Sequence, residues 1–137
     1  MVVTTPQDVA SNVAVKAIGM FEKLNVPIIG VVENMSHFIC PNCSDKHYIF
    51  GEGGARKISE QFKMPFLGEV PLNSGIMSGS DLGKPIMISN PDSPSANAFR
   101  ESAKNIAAQC SILAAKLQEE SKSEEANAEP PAQTGNQ

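Results

Sequence analysis

Tryptophan is absent from these 137 residues, tyrosine occurs once and cysteine three times, so the chain can build neither a broad aromatic face nor a disulfide framework. An excess of positive charge is also missing, the formal net charge being -4. Residues 118–137 hold Glu119, Glu120, Glu124, Glu125 and Glu129 against Lys122 alone, which leaves the first 117 residues with equal numbers of acids and bases. A neutral body with an acidic end offers no electrostatic footprint for nucleic acid or for an anionic membrane. No apolar run approaches the roughly 18 residues of a spanning helix, and the N-terminus lacks the basic-then-apolar pattern of a signal peptide. The expected location is therefore cytoplasmic, where a CxxC pair reads as metal or redox chemistry.

What is present suits one domain with a modest core, the hydrophobic share being 41%. Val2, Val3, Thr4 and Thr5 are β-branched and unbroken, as in a strand of a parallel sheet covered on both faces. Thr5 as a cap, Pro6 at the first helical position and Asp8 on the positive end predict a helix reaching about Leu24. Val9, Val13, Ala17, Phe21 and Leu24 recur at intervals of four and three and are expected to face the sheet. A second apolar run, Ile28 to Met35, completes a βαβ unit, which is right-handed and parallel in nearly all cases.

A short helix containing Ile58 and Phe62 follows, and Pro65 to Pro71 reads as a third strand. Leu72 to Pro91, rich in glycine, proline and serine, is expected to be a long irregular connection. The last helix starts near Asp92 to Pro94, with Phe99, Ala103, Ile106, Cys110, Leu113 and Leu117 as its apolar stripe. Cys110 there reads as a small core hydrophobe. The element order predicts an open α/β sheet over residues 1–117. Beyond Leu117 no large apolar residue offsets the entropy of ordering, so 118–137 are expected to form a disordered acidic tail.

The chemistry concentrates in "SHFICPNCSDKHYIFG", where Cys40 and Cys43 lie in a loop directly after a strand. Thiolates at this spacing can point at one metal, as in zinc and iron–sulfur sites. A redox pair normally opens a helix that lowers the thiol pKa, and "SDKHYIF" does not open one. Two readings of the metal remain open on spacing alone. His37 and His47 complete a Cys2His2 zinc set in one chain, the site of a structural or interaction module. Alternatively, two chains contribute two thiolates each to a [4Fe-4S] cluster across a two-fold axis. The stretch "FGEGGARK" precedes a helix but lacks G-x-x-x-x-G-K-[ST], a pattern found nowhere in the chain.

The stretches "VVTTPQDVA", "MFEKLNVPIIGVVENMSHFICPNC", "IFGEGGARKI", "PFLGEVPLN", "SDLGKPIM" and "NPDSPSANAFRESAKNIA" occur in an order that resembles the C-terminal half of the Mrp/ApbC-type iron–sulfur cluster carriers, P-loop ATPases of the ParA/MinD class. The resemblance spans roughly residues 2–110. It implies half of a doubly wound, mostly parallel sheet of P-loop NTPase type, without the P-loop. It also implies a homodimer, or pairing with a complementary P-loop-bearing chain, that bridges a labile [4Fe-4S] cluster on Cys40 and Cys43 of each copy and passes it to apo iron–sulfur proteins. Asn34 of "ENMS" is implied to recognise adenine, with Pro71 and Leu72 lining the base more weakly.

ATP and Mg²⁺ belong to the complete family. This chain, whether a truncated product, one part of a split protein or a non-functional remnant, is not expected to hydrolyse ATP by itself. Ser44 stands where the family commonly has a glycine.

Overall fold

The computed structural model describes residues 1–127, with the side chains of residues 1–123. The chain runs β1 (Val2–Thr4), α1 (Asp8–Lys23), β2 (Val31–Ile39), β3 (Lys46–His47), α2 (Gly54–Gln61), β4 (Phe66–Leu72), α3 (Ser74–Asp81), α4 (Ile86–Ser89) and α5 (Pro94–Asn127). β2 is the central strand of a mostly parallel sheet. It pairs in parallel with β1 through Val2↔Val31 and Thr4↔Glu33, and with β4 through Val31↔Phe66 and Asn34↔Val70. Phe38 is opposite both His47 of β3 and Leu72 of β4, so β3 and β4 flank opposite edges of β2. β3 runs antiparallel and occupies the same edge as β1, further along.

Helices cover both faces, as the long apolar strands require. On one face Ala14 and Ile18 of α1 meet Ile58 of α2, with Val2, Ile28, Phe62 and Met64 packed around them. On the other, Val32, Leu67 and Val70 are covered by Ile76 of α3 and Ile106 of α5. Gly68 permits the close approach of α5. Its φ of 151° lies in the region that disfavours side chains, and a Cβ there would collide with Ser102 Oγ.

The expected buried face of α1 is displaced. Val9, Val13 and Leu24 are 79%, 63% and 65% exposed, whereas Ala14 and Ile18 are buried. The apolar positions overfill one helix face, and only the part that overlies β1 and α2 finds a partner. Nor does Thr5 cap α1. Gln7 holds the N-cap position without a side-chain bond, while Asp8 does lie in the first turn.

Residues 72–91 are less irregular than their composition suggests. Asn73 Oδ1 accepts the Gly75 N–H at 2.7 Å and starts α3, and buried Ile86 anchors α4. Local capping supplies the order that apolar periodicity does not announce. α5 begins as expected, Ser93 Oγ accepting the Ala96 N–H at 3.2 Å. Cys110, however, is exposed, because it lies on the outward side of α5 while Gln109 and Leu113 face Ile29 and Pro65. The helix continues through residues 118–127, expected to be disordered, with no buried position from 118 to 123. The rest of that expected tail, 128–137, lies outside the described residues.

Candidate metal centre

The cysteines occupy the tip of a hairpin. β2 runs on past the end of β1, and its last two residues pair with β3 as Phe38↔His47 and Ile39↔Lys46. The connecting residues 40–45 are pinned from within: the Cys40 N–H donates to Asp45 O at 2.9 Å, and the Ser44 N–H to Cys40 O at 2.8 Å. Ser44 adopts φ 62°, the left-handed turn that a glycine would make without strain. This turn returns the chain so that His47 lies beside the thiols. The Sγ atoms of Cys40 and Cys43 and a ring nitrogen of His47 all lie within 4.8 Å of one another.

Cys40 is half-buried, while Cys43 and His47 are exposed. The backbone N–H of Cys43, then that of Asn42, then the Cys43 side chain favour the Cys40 thiolate, holding its pKa below the ordinary thiol range. The hairpin tip therefore carries a half-buried Cys40 beside an exposed second thiol, Cys43.

His37 takes no part in this group, so the Cys2His2 set of the zinc reading is not assembled. His37 lies in the irregular stretch of β2 between Asn34 and Phe38, where it and Ser36 are both buried, His37 being 5% exposed. Its Nδ1 is 2.9 Å from Ser36 Oγ and 3.9 Å from Glu69 Oε1. Because Ser36 Oγ donates its only proton to Val70 O at 3.2 Å, Nδ1 is the donor to Ser36. Burial and the nearby Lys46 hold the His37 pKa below 6.5 against the opposing pull of Glu69, so the ring is a neutral structural group.

Glu33, which sequence reasoning passed over, fastens the next segment. Its buried carboxylate accepts the Ala55 N–H at 2.8 Å, at the positive end of α2. Thus β2 anchors both the entry to the cysteine hairpin and the helix that follows it.

The three residues implied for nucleotide do not converge on one cavity. Asn34 is opposite Val70 in the sheet, and its Oδ1 accepts the Met35 N–H at 3.0 Å. It lines an apolar cavity of about 290 Å³ with Val3, Val32, Ile76 and Ile106. Pro71 and Leu72 instead line a cavity of about 380 Å³ with Phe38, Ile39 and Pro41 of the cysteine hairpin and with Ser95. The Ser95 hydroxyl there is buried without a hydrogen-bond partner. Between the two cavities the β2–β4 register shifts, and Met35 adopts φ 55°, a strained conformation for a methionine.

A family profile described as ParA, the NUBPL iron-transfer P-loop NTPases, matches residues 1–107. The chain belongs to this family of iron-transfer P-loop NTPases. The iron–sulfur cluster transfer protein NUBPL of Dictyostelium discoideum is 44% identical over 113 residues, covering 82% of this chain and 35% of the relative. The iron–sulfur cluster carrier protein of Escherichia coli K12 is 47% identical over 109 residues, covering 80% of this chain and 30% of the relative. The chain thus spans about a third of the length of these curated relatives.

Among solved structures, a nucleotide-binding protein of Archaeoglobus fulgidus, determined with ADP and with cobalt found in it, aligns with TM-score 0.54 and 38% identity, covering 69% of this chain and 37% of that one. The cell division ATPase MinD of Pyrococcus furiosus aligns with TM-score 0.56 and 25% identity, over 75% and 39% of the two chains. These likenesses agree with the mixed α/β fold and mostly parallel sheet expected from the sequence. Among the described residues, no helix is long and apolar enough to cross a membrane.

Proposed function

We propose that this chain is an iron–sulfur cluster carrier whose cargo is a [4Fe-4S] cluster held between two copies, each contributing Cys40 and Cys43. The observation that carries this reading is the pairing of two thiols at an exposed hairpin tip in a chain of the iron-transfer family. Iron in such clusters is bound by thiolate, which the environment of Cys40 favours, and two thiolates per chain make four in a two-fold pair. Exposure leaves the cargo open to attack by a recipient's thiolates. Each iron–sulfur bond to this protein breaks as one to the apo-protein forms, without net oxidation or reduction.

Nucleotide belongs to the same reading. Pro71 and Leu72, at the carboxyl end of β4 where open α/β sheets bind ligands, are the adenine-side residues of this reading, and Asn34, at the β2 register shift, approaches the base from the neighbouring cavity. The buried, unpartnered Ser95 hydroxyl supports a polar occupant for the cavity beside Pro71 and Leu72. In this reading the groups that hold the phosphates and Mg²⁺ belong to the P-loop-bearing part of the fold, which residues 1–137 do not include, so these residues alone do not hydrolyse ATP. Nucleotide state would bias the geometry of the assembled pair and hence release of the cluster. The setting is the cytoplasm and the recipients are apo iron–sulfur proteins.

Anaerobic reconstitution of the full chain with iron and sulfide tests the reading. Four irons per pair of chains, doubling of the mass in solution and loss of the visible chromophore in Cys40→Ser are expected. A chain that stays monomeric and iron-free after reconstitution would overturn it.

A further inference from the structure

We propose that Cys40, Cys43 and His47 of a single chain form a three-ligand site for one thiophilic divalent ion, with zinc as the probe, leaving a fourth coordination position open. This loading state differs from the bridging cluster in stoichiometry, ligand set and oligomeric state. It does not depend on the cluster reading being correct.

The argument starts from distances. On a tetrahedral ion with metal–sulfur bonds of about 2.3 Å and metal–nitrogen bonds of about 2.0–2.1 Å, neighbouring ligand atoms stand roughly 3.5–3.8 Å apart. The three ligand atoms here already lie within 4.8 Å of one another, so small side-chain rotations close them on one ion. Two thiolates on different irons of a cubane instead lie along diverging bonds, and their sulfurs stand farther apart than two on a shared ion. The resting arrangement is therefore nearer to a single-ion site than to the edge of a cluster.

The chemistry of the donors agrees. Two thiolates and one imidazole are a borderline-soft set suited to zinc and poorly suited to calcium or magnesium. Strand pairing fixes His47 by Phe38↔His47, and the bond from the Cys40 N–H to Asp45 O closes the turn between them. The third ligand is thus delivered by the backbone of the same hairpin that carries the thiols. His37 cannot supply a fourth, because its ring is buried and engaged with Ser36. Among the described residues no other histidine, cysteine or acid joins the group, so the remaining position is left to water or to a small exogenous ligand. The ion and the cluster would need the same two sulfurs, which makes the two loading states mutually exclusive on one chain.

The test is a zinc titration of the reduced, metal-free full chain against a chromophoric chelator, with mass in solution followed in parallel. One zinc per chain with no increase in mass is expected. His47→Ala should weaken zinc at least about 100-fold, since loss of an outer-shell partner alone costs about 10- to 100-fold. His37→Asn should leave zinc affinity unchanged and also report whether the fold tolerates a histidine change. Cobalt in place of zinc should show thiolate charge-transfer bands and the intense d–d absorption of a four-coordinate ion, altered in His47→Ala. One zinc per two chains with a doubled mass, an unweakened His47→Ala variant, or no zinc uptake would each overturn the proposal. Iron–sulfide reconstitution of His47→Ala separates the two readings. Normal cluster assembly alongside lost zinc binding supports a single-chain site, and equal loss of both overturns a distinct role for His47.

Discussion

At the scale of single residues, the hairpin stores strain that a substitution can release. Ser44 holds φ 62°, where a non-glycine residue is about 1–2 kcal/mol less stable, while glycine adds entropy to the unfolded chain. Ser44→Gly should therefore raise stability by a net of about 0.5–1 kcal/mol, read as a higher denaturation midpoint at unchanged m-value. Glu33→Ala works in the opposite direction. It leaves the buried Ala55 N–H without its acceptor, so a loss of about 1–3 kcal/mol is expected in the same measurement. His37 makes stability depend on pH. Its folded pKa lies below the 6.5 of the free side chain, so between the two values the unfolded chain holds the extra proton. Stability should decline as pH falls through 6.5 and stop declining below the folded pKa. Urea titrations across this range should show the slope, and His37→Asn should flatten it.

At the scale of elements, strands and helices were legible where burial imposes a period, and illegible where local bonds do the work. The βαβ unit, the strand Phe66–Leu72 and the start of α5 followed from apolar runs and caps. α3 and α4 did not, because the Asn73 cap and serine hydroxyls bonded to carbonyls one turn back leave no apolar pattern. The cysteine loop was placed correctly after a strand, but β3 is only two residues long and carries no strand signal of its own. Its effect is nonetheless decisive, since antiparallel pairing brings His47 to the thiols, while the irregular stretch of β2 buries His37 beside Ser36. Two histidines that look equivalent in sequence are thereby separated. Gly68→Ala tests packing at the same scale. A methyl there meets Ser102 of α5 on a backbone conformation already unfavourable for side chains, so α5 must shift, and a loss of about 1–3 kcal/mol is expected in chemical denaturation.

At the scale of the molecule, one group of exposed apolar residues lies along the β1 edge. Met1 just before β1, Val3 on it, and Val9, Val13 and Met20 on α1 are each at least half exposed, while others such as Leu82 and Ile88 lie on other elements. Val13 lines an open groove with Val2, Val3, Ala10 and Ala17, and Val3 also borders the cavity that contains Asn34 on the opposite face of the sheet. The outer edge of β1 therefore separates two uncovered apolar surfaces, as in a sheet whose neighbouring strand and helices come from elsewhere.

This is why the expected face of α1 was displaced. Val9 and Val13 carry an apolar signal that the described sheet does not use, and periodicity alone cannot tell which partner a stripe serves. In the proposed carrier this side is covered by the P-loop-bearing part of the family fold. Mixing the protein with the P-loop-bearing segment of a family member should give a stable complex that hydrolyses ATP, measured by sedimentation and phosphate release. Val13→Asp should abolish both while leaving metal uptake at Cys40 and Cys43 intact, because the substitution is exposed and on a different element from the hairpin. Association that survives Val13→Asp unchanged would place the complementary chain on another surface.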